Sequence, residues 1–159
     1  MNFDQGPKMK DKRLLIIFLT VFIDLVGFGI IIPMNPYLAK TFGASALEVG
    51  LLMSIYSLMQ FLFSPFWGQL SDRIGRRPVI LISLLGGAVS HLGFAFSTSF
   101  WMLVVARSFA GLFGGNLSAA MAYIADITPE KDRSKGMGMI GAAFGLGFIL
   151  GPLLGYVFS

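Results

Sequence analysis

The sequence predicts an all-α integral membrane protein with five transmembrane helices. Three observations carry that expectation. Hydrophobic residues fill 55% of the 159 positions and charged residues only 13%, with a mean hydropathy of +0.78. A soluble domain would devote nearer a quarter of its positions to charge. The apolar residues fall into five runs, each close to the ~20 residues a helix needs to cross a hydrocarbon core of about 30 Å. Lys and Arg, finally, collect in short clusters beside those runs, which is the pattern of topology signals. Helices are expected because backbone polar groups in lipid must be satisfied within the segment.

The chain divides into a cytoplasmic N-terminal tail, residues 1–13, and a membrane region, residues 14–159. The tail holds Lys8, Lys10, Lys12 and Arg13. A signal peptide can begin this way, but the apolar run that follows is too long, contains Asp24 and lacks a small-x-small cleavage site. A retained first helix over residues 14–38 is therefore expected. A turn through Lys40, Gly43 and Ser45 leads to the second run, residues 47–67. The third run covers residues 78–96 and ends at Ser97-Thr98-Ser99. The fourth covers residues 100–124, and the polar segment 126–135 separates it from the fifth, residues 137–158.

Basic residues orient these spans. Lys and Arg lie in the tail, in the second connection (Arg73, Arg76, Arg77) and in the fourth (Lys131, Arg133, Lys135), against Lys40 alone on the other face. The basic side is expected to be cytoplasmic, which places the protein in a cell (inner) membrane with its N-terminus inside. The net charge of +4 is thus a topology signal and not a nucleic-acid footprint; the expected surroundings are lipid. The absence of cysteine removes disulfide frameworks, thiolate metal sites and cysteine nucleophiles.

Two charges fall inside spans. Asp24 lies about 15 Å from the cytoplasmic boundary and Arg107 about 10 Å from the outer one, so their heights differ by about 5 Å. They are within side-chain reach if their helices face each other. Each costs about 2.5–3.5 kcal/mol near a helix centre, so neither is expected to face lipid. The pair can serve helix packing, or it can form a proton or substrate site in which Asp24 titrates and Arg107 tunes it. His91, about 20 Å above the inner boundary, is a further candidate proton carrier, or a hydrogen-bonded packing residue. Gln60, Asn116 and Ser118 can line a polar path or bond between helices. The fourth and fifth runs are rich in glycine, and two series in the fifth, Gly141 with Gly145 and Gly147 with Gly151 and Gly155, are spaced by fours for close helix approach. Pro152 among them suggests a kink.

The connection at residues 68–78 is the densest chemistry in the chain: Gly68-x-Leu70-Ser71-Asp72-Arg73-x-Gly75-Arg76-Arg77-Pro78. Charge counting accounts for Arg73, Arg76 and Arg77 but not for Asp72, Gly75 and Pro78. A sharp turn at glycine and a proline in the first turn of the third helix are expected, with Asp72 a buried partner for Arg76.

This segment resembles the loop signature of the major facilitator superfamily, in its place between the second and third spans. Arg107-x3-Gly111 resembles the family's fourth-helix motif, and Gly147-x3-Gly151-Pro152-x2-Gly155 its fifth-helix motif associated with antiporters. Pro33-x2-Pro36 is similar to a pattern of drug:proton antiporters. The resemblance runs over residues 13–159 and is nearest to multidrug and tetracycline efflux proteins. It implies twelve helices in two six-helix halves, so that a sixth helix and the whole C-terminal half are partners beyond this stretch. It also implies alternating access, a small-molecule substrate, the proton as coupling ion and no other cofactor or metal. Asp72, Arg76 and Asp126 would form a charge network closing the cytoplasmic side, Arg107 would take part in proton coupling, and the fifth-helix glycines would pack on the opposite half. Two departures stand out: Tyr156 replaces the motif's last glycine, and Ser90, beside His91, stands where tetracycline pumps carry an acid.

Catalysis is not expected, because the chain shows no nucleophile–base set, ligand cluster or phosphate loop. Three readings remain: the N-terminal part of a proton-coupled efflux antiporter, a uniporter or nutrient symporter of the same fold, or a truncated membrane protein that does not transport.

Overall fold

The computed structural model describes residues 7–157, with the side chains at 7–11, 13 and 116 excepted. The first six residues of the expected tail, the last residue of the fifth run and Ser159 lie outside the described residues, as do the side chains of Lys8, Lys10, Arg13 and Asn116. Six α-helices follow in order: α1 Pro7–Thr41, α2 Ala46–Ile74, α3 Arg76–Ala95, α4 Phe100–Leu112, α5 Asn116–Ile127 and α6 Arg133–Val157. A single 3-10 turn, Glu130–Asp132, precedes α6, and no strand occurs among the described residues. Taken with α4 and α5 as one crossing, five segments are long and apolar enough to span a bilayer.

Local chemistry sets the helix ends. Gly43 (φ +78°) makes the turn after α1. Ser45 then opens α2 with a capping box: its hydroxyl accepts from the Glu48 amide (3.4 Å), and the Glu48 carboxylate accepts from the Ser45 amide (2.7 Å). Ser99 opens α4 by accepting from the Met102 amide at 3.4 Å.

The bounds of two expected elements differ in the structure. The connection at residues 68–78 is helical on both sides of a single glycine. Helix α2 runs through Ile74, Gly75 alone breaks it (φ +96°, ψ 157°), and α3 begins at Arg76. Polarity at residues 69–73 ends the apolar span without ending the helix, since nothing there breaks one. Only Gly75 adopts a backbone that disfavours a side chain.

The fourth run, conversely, is two helices. The chain leaves α4 at Phe113 and starts α5 after Gly115. Carbonyls freed by the break find donors on α2: the Trp67 indole donates to the Leu112 carbonyl, and the Gln60 amide donates to the Gly114 carbonyl at 3.0 Å. Gly115 admits the indole, because a Cβ there would stand 2.6 Å from Trp67 Cβ. The break is thus repaired within the protein, as backbone at membrane depth requires.

Helix α1 packs chiefly on α6, α2 on α4, and α3 on α4 and α5. One apolar core, on the side of the N-terminus, gathers Val21, Leu25, Trp67, Val79, Ile124 and Ile140; a second, toward the far side, gathers Ile31, Leu52, Phe94 and Leu103. The outer surface is apolar too, with Phe61 76% and Trp101 73% exposed. Such a surface suits lipid, not water.

Candidate functional site

Helix periodicity builds the intramembrane site. On α1, Asp24 and Phe28 are one turn apart and share a face; on α3, Ser83, Gly87 and His91 do the same; on α4, Arg107 and Ala110 follow, with Gly114 in the break after it. Asp24, Phe28, Tyr56, Ser83, Gly87 and His91 bound one narrow cavity of about 20 Å³, closed on the α4 side by Ala110, Phe113 and Gly114. The space is narrow because glycine brings the polar groups together. Asp24 Oδ1 stands 3.9 Å from where a Gly87 Cβ would be, and His91 Cε1 stands 3.7 Å from where a Gly27 Cβ would be.

Arg107 is buried, 4% exposed, and its guanidinium lies over two rings. The carbon is 4.4 Å from the Tyr56 centroid and 5.8 Å from that of Phe28, and the two rings are 5.1 Å apart. Desolvated cation–π contacts of this kind contribute about 2 kcal/mol or more. Arg107 Nε and Nη1 have no hydrogen-bond partner among the described residues. The cation is therefore held mainly by the ring faces, leaving donor capacity unspent.

A second cluster forms at the end of the bundle that carries Gly75. Arg76 Nη1 lies 2.6 Å from Asp72 Oδ1, and Arg76 Nε donates to Asp126 Oδ2 at 3.2 Å. Nη1 also donates to the Ser71 hydroxyl, which in turn donates to the Gly68 carbonyl at 2.7 Å. One arginine thus ties the end of α2 to the start of α3 and the end of α5. Beside it, Arg77 Nε donates to the Tyr123 hydroxyl (2.9 Å) and its guanidinium carbon lies 5.7 Å from that ring's centroid. Pro78 sits in the first turn of α3, while Arg73 is exposed. Asp72 is not the buried partner expected: its side chain is 63% exposed, against 23% for Arg76. The burial belongs to the arginine, which is covered by three helices.

The glycines of α6 also depart from expectation. A Cβ on Gly151 would stand 2.5 Å from Gly29 Cα; one on Gly147, 2.7 Å from Leu25 Cβ; one on Gly155, 2.9 Å from the Ile30 carbonyl. That face is filled by α1 of this chain, not by a second half. Pro152 packs at the same seam, its Cδ lying 3.2 Å from where a Gly29 Cβ would be, and α6 continues through it.

Sequence reading missed Tyr56, Phe28 and Ser83. Phe28 and Ser83 were signalled by their spacing from Asp24 and His91, multiples of four along one helix. Tyr56 carried no such mark. A further concavity, about 800 Å³ between α3 and α4, is apolar; Leu85, Val89, Trp101 and Phe109 line it, and Phe113 borders both it and the polar cavity.

Five apolar crossings, buried ionisable groups and a polar cluster at one bundle end define a multi-pass helical membrane protein. The sequence pattern of the Major Facilitator Superfamily matches residues 17–159, and the chain belongs to that family. It is 40% identical over 148 residues to the class H tetracycline resistance protein of Pasteurella multocida, covering 91% of this chain and 37% of that one. It is 44% identical over 136 residues to the class B tetracycline resistance protein of Escherichia coli, covering 84% and 34% respectively. It is 37% identical to major facilitator superfamily domain-containing protein 10 of Bos taurus, covering 88% and 37%. The chain thus spans little more than a third of the length of these relatives.

Proposed function

We propose that this chain supplies the N-terminal part of a proton-coupled transporter that exports amphipathic small molecules by alternating access. One observation carries the reading: Asp24, Tyr56, His91 and Arg107, from four separate crossings, gather at or beside one narrow intramembrane cavity. Ionisable groups held inside a bundle at this cost are by default candidates for pathways and relays. The names of the relatives favour efflux, since several are tetracycline resistance proteins.

In this reading Asp24 is the proton acceptor, and its protonation competes with outward movement of substrate. Arg107 supplies the fixed positive charge that makes Asp24 responsive, and the Tyr56 and Phe28 rings hold that charge in place. The Asp72–Arg76–Asp126 cluster locks the cytoplasmic end in the outward-facing state, and the basic tail lies in the cytoplasm. The remaining helices and the second half of the cavity come from the rest of the transporter, because alternating access needs two repeats.

The test is Asp24→Asn in the intact transporter, reading pH-gradient-driven transport, in everted vesicles, of an amphipathic drug that the parent moves. Transport should fall to the level of an uncoupled control. Undiminished gradient-driven transport would remove Asp24 from the mechanism.

A further inference from the structure

We propose that Ser83 is a positioning residue for proton transfer, holding one buried water that connects Asp24 with His91. This deepens the proposed function and rests on its reading of Asp24 as the proton acceptor.

Ser83 is 2% exposed, and its hydroxyl has no hydrogen-bond partner among the described residues. Serines inside helices ordinarily turn back onto the preceding turn. Ser90, on the same helix, does so, donating to the Gly86 carbonyl at 2.7 Å. Ser83 instead borders the cavity with Asp24, Tyr56 and His91. A buried hydroxyl without a partner is costly, and the site supplies a remedy. The cavity's 20 Å³ exceeds the ~10–15 Å³ that a single water needs, and two to four polar neighbours are what such a water requires.

The spacing along α3 suits a relay. Gly87 lies one turn from Ser83 and one turn from His91, and the Asp24 carboxylate sits over Gly87. Asp24 is thus flanked by a hydroxyl on one side and an imidazole on the other. The titratable and charged groups facing this point are Asp24 from α1, Tyr56 from α2, His91 from α3 and Arg107 from α4, the last across the Tyr56 ring. In the relay step, an imidazolium N–H of His91 gives its proton to the water, and the water gives one of its own to the Asp24 carboxylate. His91 and Asp24 both end neutral, and the water is regenerated. Ser83 transfers nothing; its hydroxyl fixes where the water sits.

Infrared difference spectroscopy of the intact transporter across a pH titration tests this, with protons as the only probe. The parent protein should show a carboxyl band that Asp24→Asn abolishes, and a water O–H band that moves on exchange into H2(18)O. Ser83→Ala should lose the water band and displace the half-point of the carboxyl titration by about one pH unit, a tenfold change in proton affinity; Ser83→Thr should restore both. Ser83→Ala spectra that superimpose on the parent's overturn the inference while leaving the role of Asp24 intact. A carboxyl band that survives Asp24→Asn overturns the proposed function itself. Should Ser83→Ala fail to fold, absence of any exchangeable water band in the parent still defeats the inference.

Discussion

The guanidinium of Arg107 lies over the ring of Tyr56, 4.4 Å from carbon to centroid, with the arginine only 4% exposed. A ring face can stabilise a cation without fixing its hydrogen-bond directions. The rings thus hold the buried guanidinium while Nε and Nη1 have no hydrogen-bond partner among the described residues. That combination suits a residue that must act on a changing neighbour better than a closed ion pair would.

Removing the ring should uncover the cation. Tyr56→Leu is expected to cost about 2 kcal/mol of stability, the scale of a desolvated cation–π contact, and Tyr56→Phe less than about 1 kcal/mol. Denaturant unfolding of the purified transporter in detergent measures both. Equal midpoints for Leu and the parent would mean that the stack contributes nothing.

The seam between α1 and α6 leaves no room for a methyl group. Gly151→Ala would place Cβ 2.5 Å from Gly29 Cα and 2.7 Å from Gly29 C, both backbone atoms. Overpacking should cost about 1–3 kcal/mol, read as a lower thermal midpoint. Gly141 has nothing within 4 Å of its absent Cβ, so Gly141→Ala should be neutral or stabilising by up to about 1 kcal/mol.

Trp67 repairs the broken fourth crossing through its indole N–H. Trp67→Phe keeps most of the packing and strands the Leu112 carbonyl, at about 1–3 kcal/mol. Amide hydrogen exchange between residues 113 and 119 should accelerate while that of α3 stays slow. A uniform change across the bundle would show that the bond has no local role.

At the Gly75 end, Asp72→Asn should leave stability within about 1 kcal/mol of the parent, because its carboxylate is mostly in solvent. Its effect should appear instead in state-dependent accessibility: labelling of single cysteines near this end should increase, and rising salt should produce the same change in the parent. Unchanged labelling would mean that the cluster is decorative.

Much of this architecture was legible from residue order alone. Run length marked five crossings, because lipid allows few ways to satisfy a backbone. The motif around Gly75 drew attention to Asp72, Arg76 and Asp126 before geometry placed them together. The interruption at Phe113–Gly115 was not legible. Gly111, Gly114 and Gly115 look the same whether they serve close packing or a break, and only the donors from Gln60 and Trp67 on a distant helix decide it. Tyr56 was invisible for a related reason: an aromatic residue in an apolar run carries no sign of what lies across from it. Of the α6 glycines read as close-contact positions, Gly147, Gly151 and Gly155 are such and Gly141 and Gly145 are not, because spacing within one helix cannot say which positions a neighbour covers or which neighbour it is.

The contact of Gly29 with Gly151 has a mechanical meaning. Two helices that meet this closely over Gly147, Gly151 and Gly155 are expected to move together as a single strut. Asp24 rides on that strut, while Tyr56, His91 and Arg107 belong to helices on the other side of the cavity. Whatever tilts the strut changes the distance between the acid and its three neighbours at one stroke. If Asp24 takes up the proton as proposed, its protonation and the tilt of α1 with α6 are coupled through that one distance.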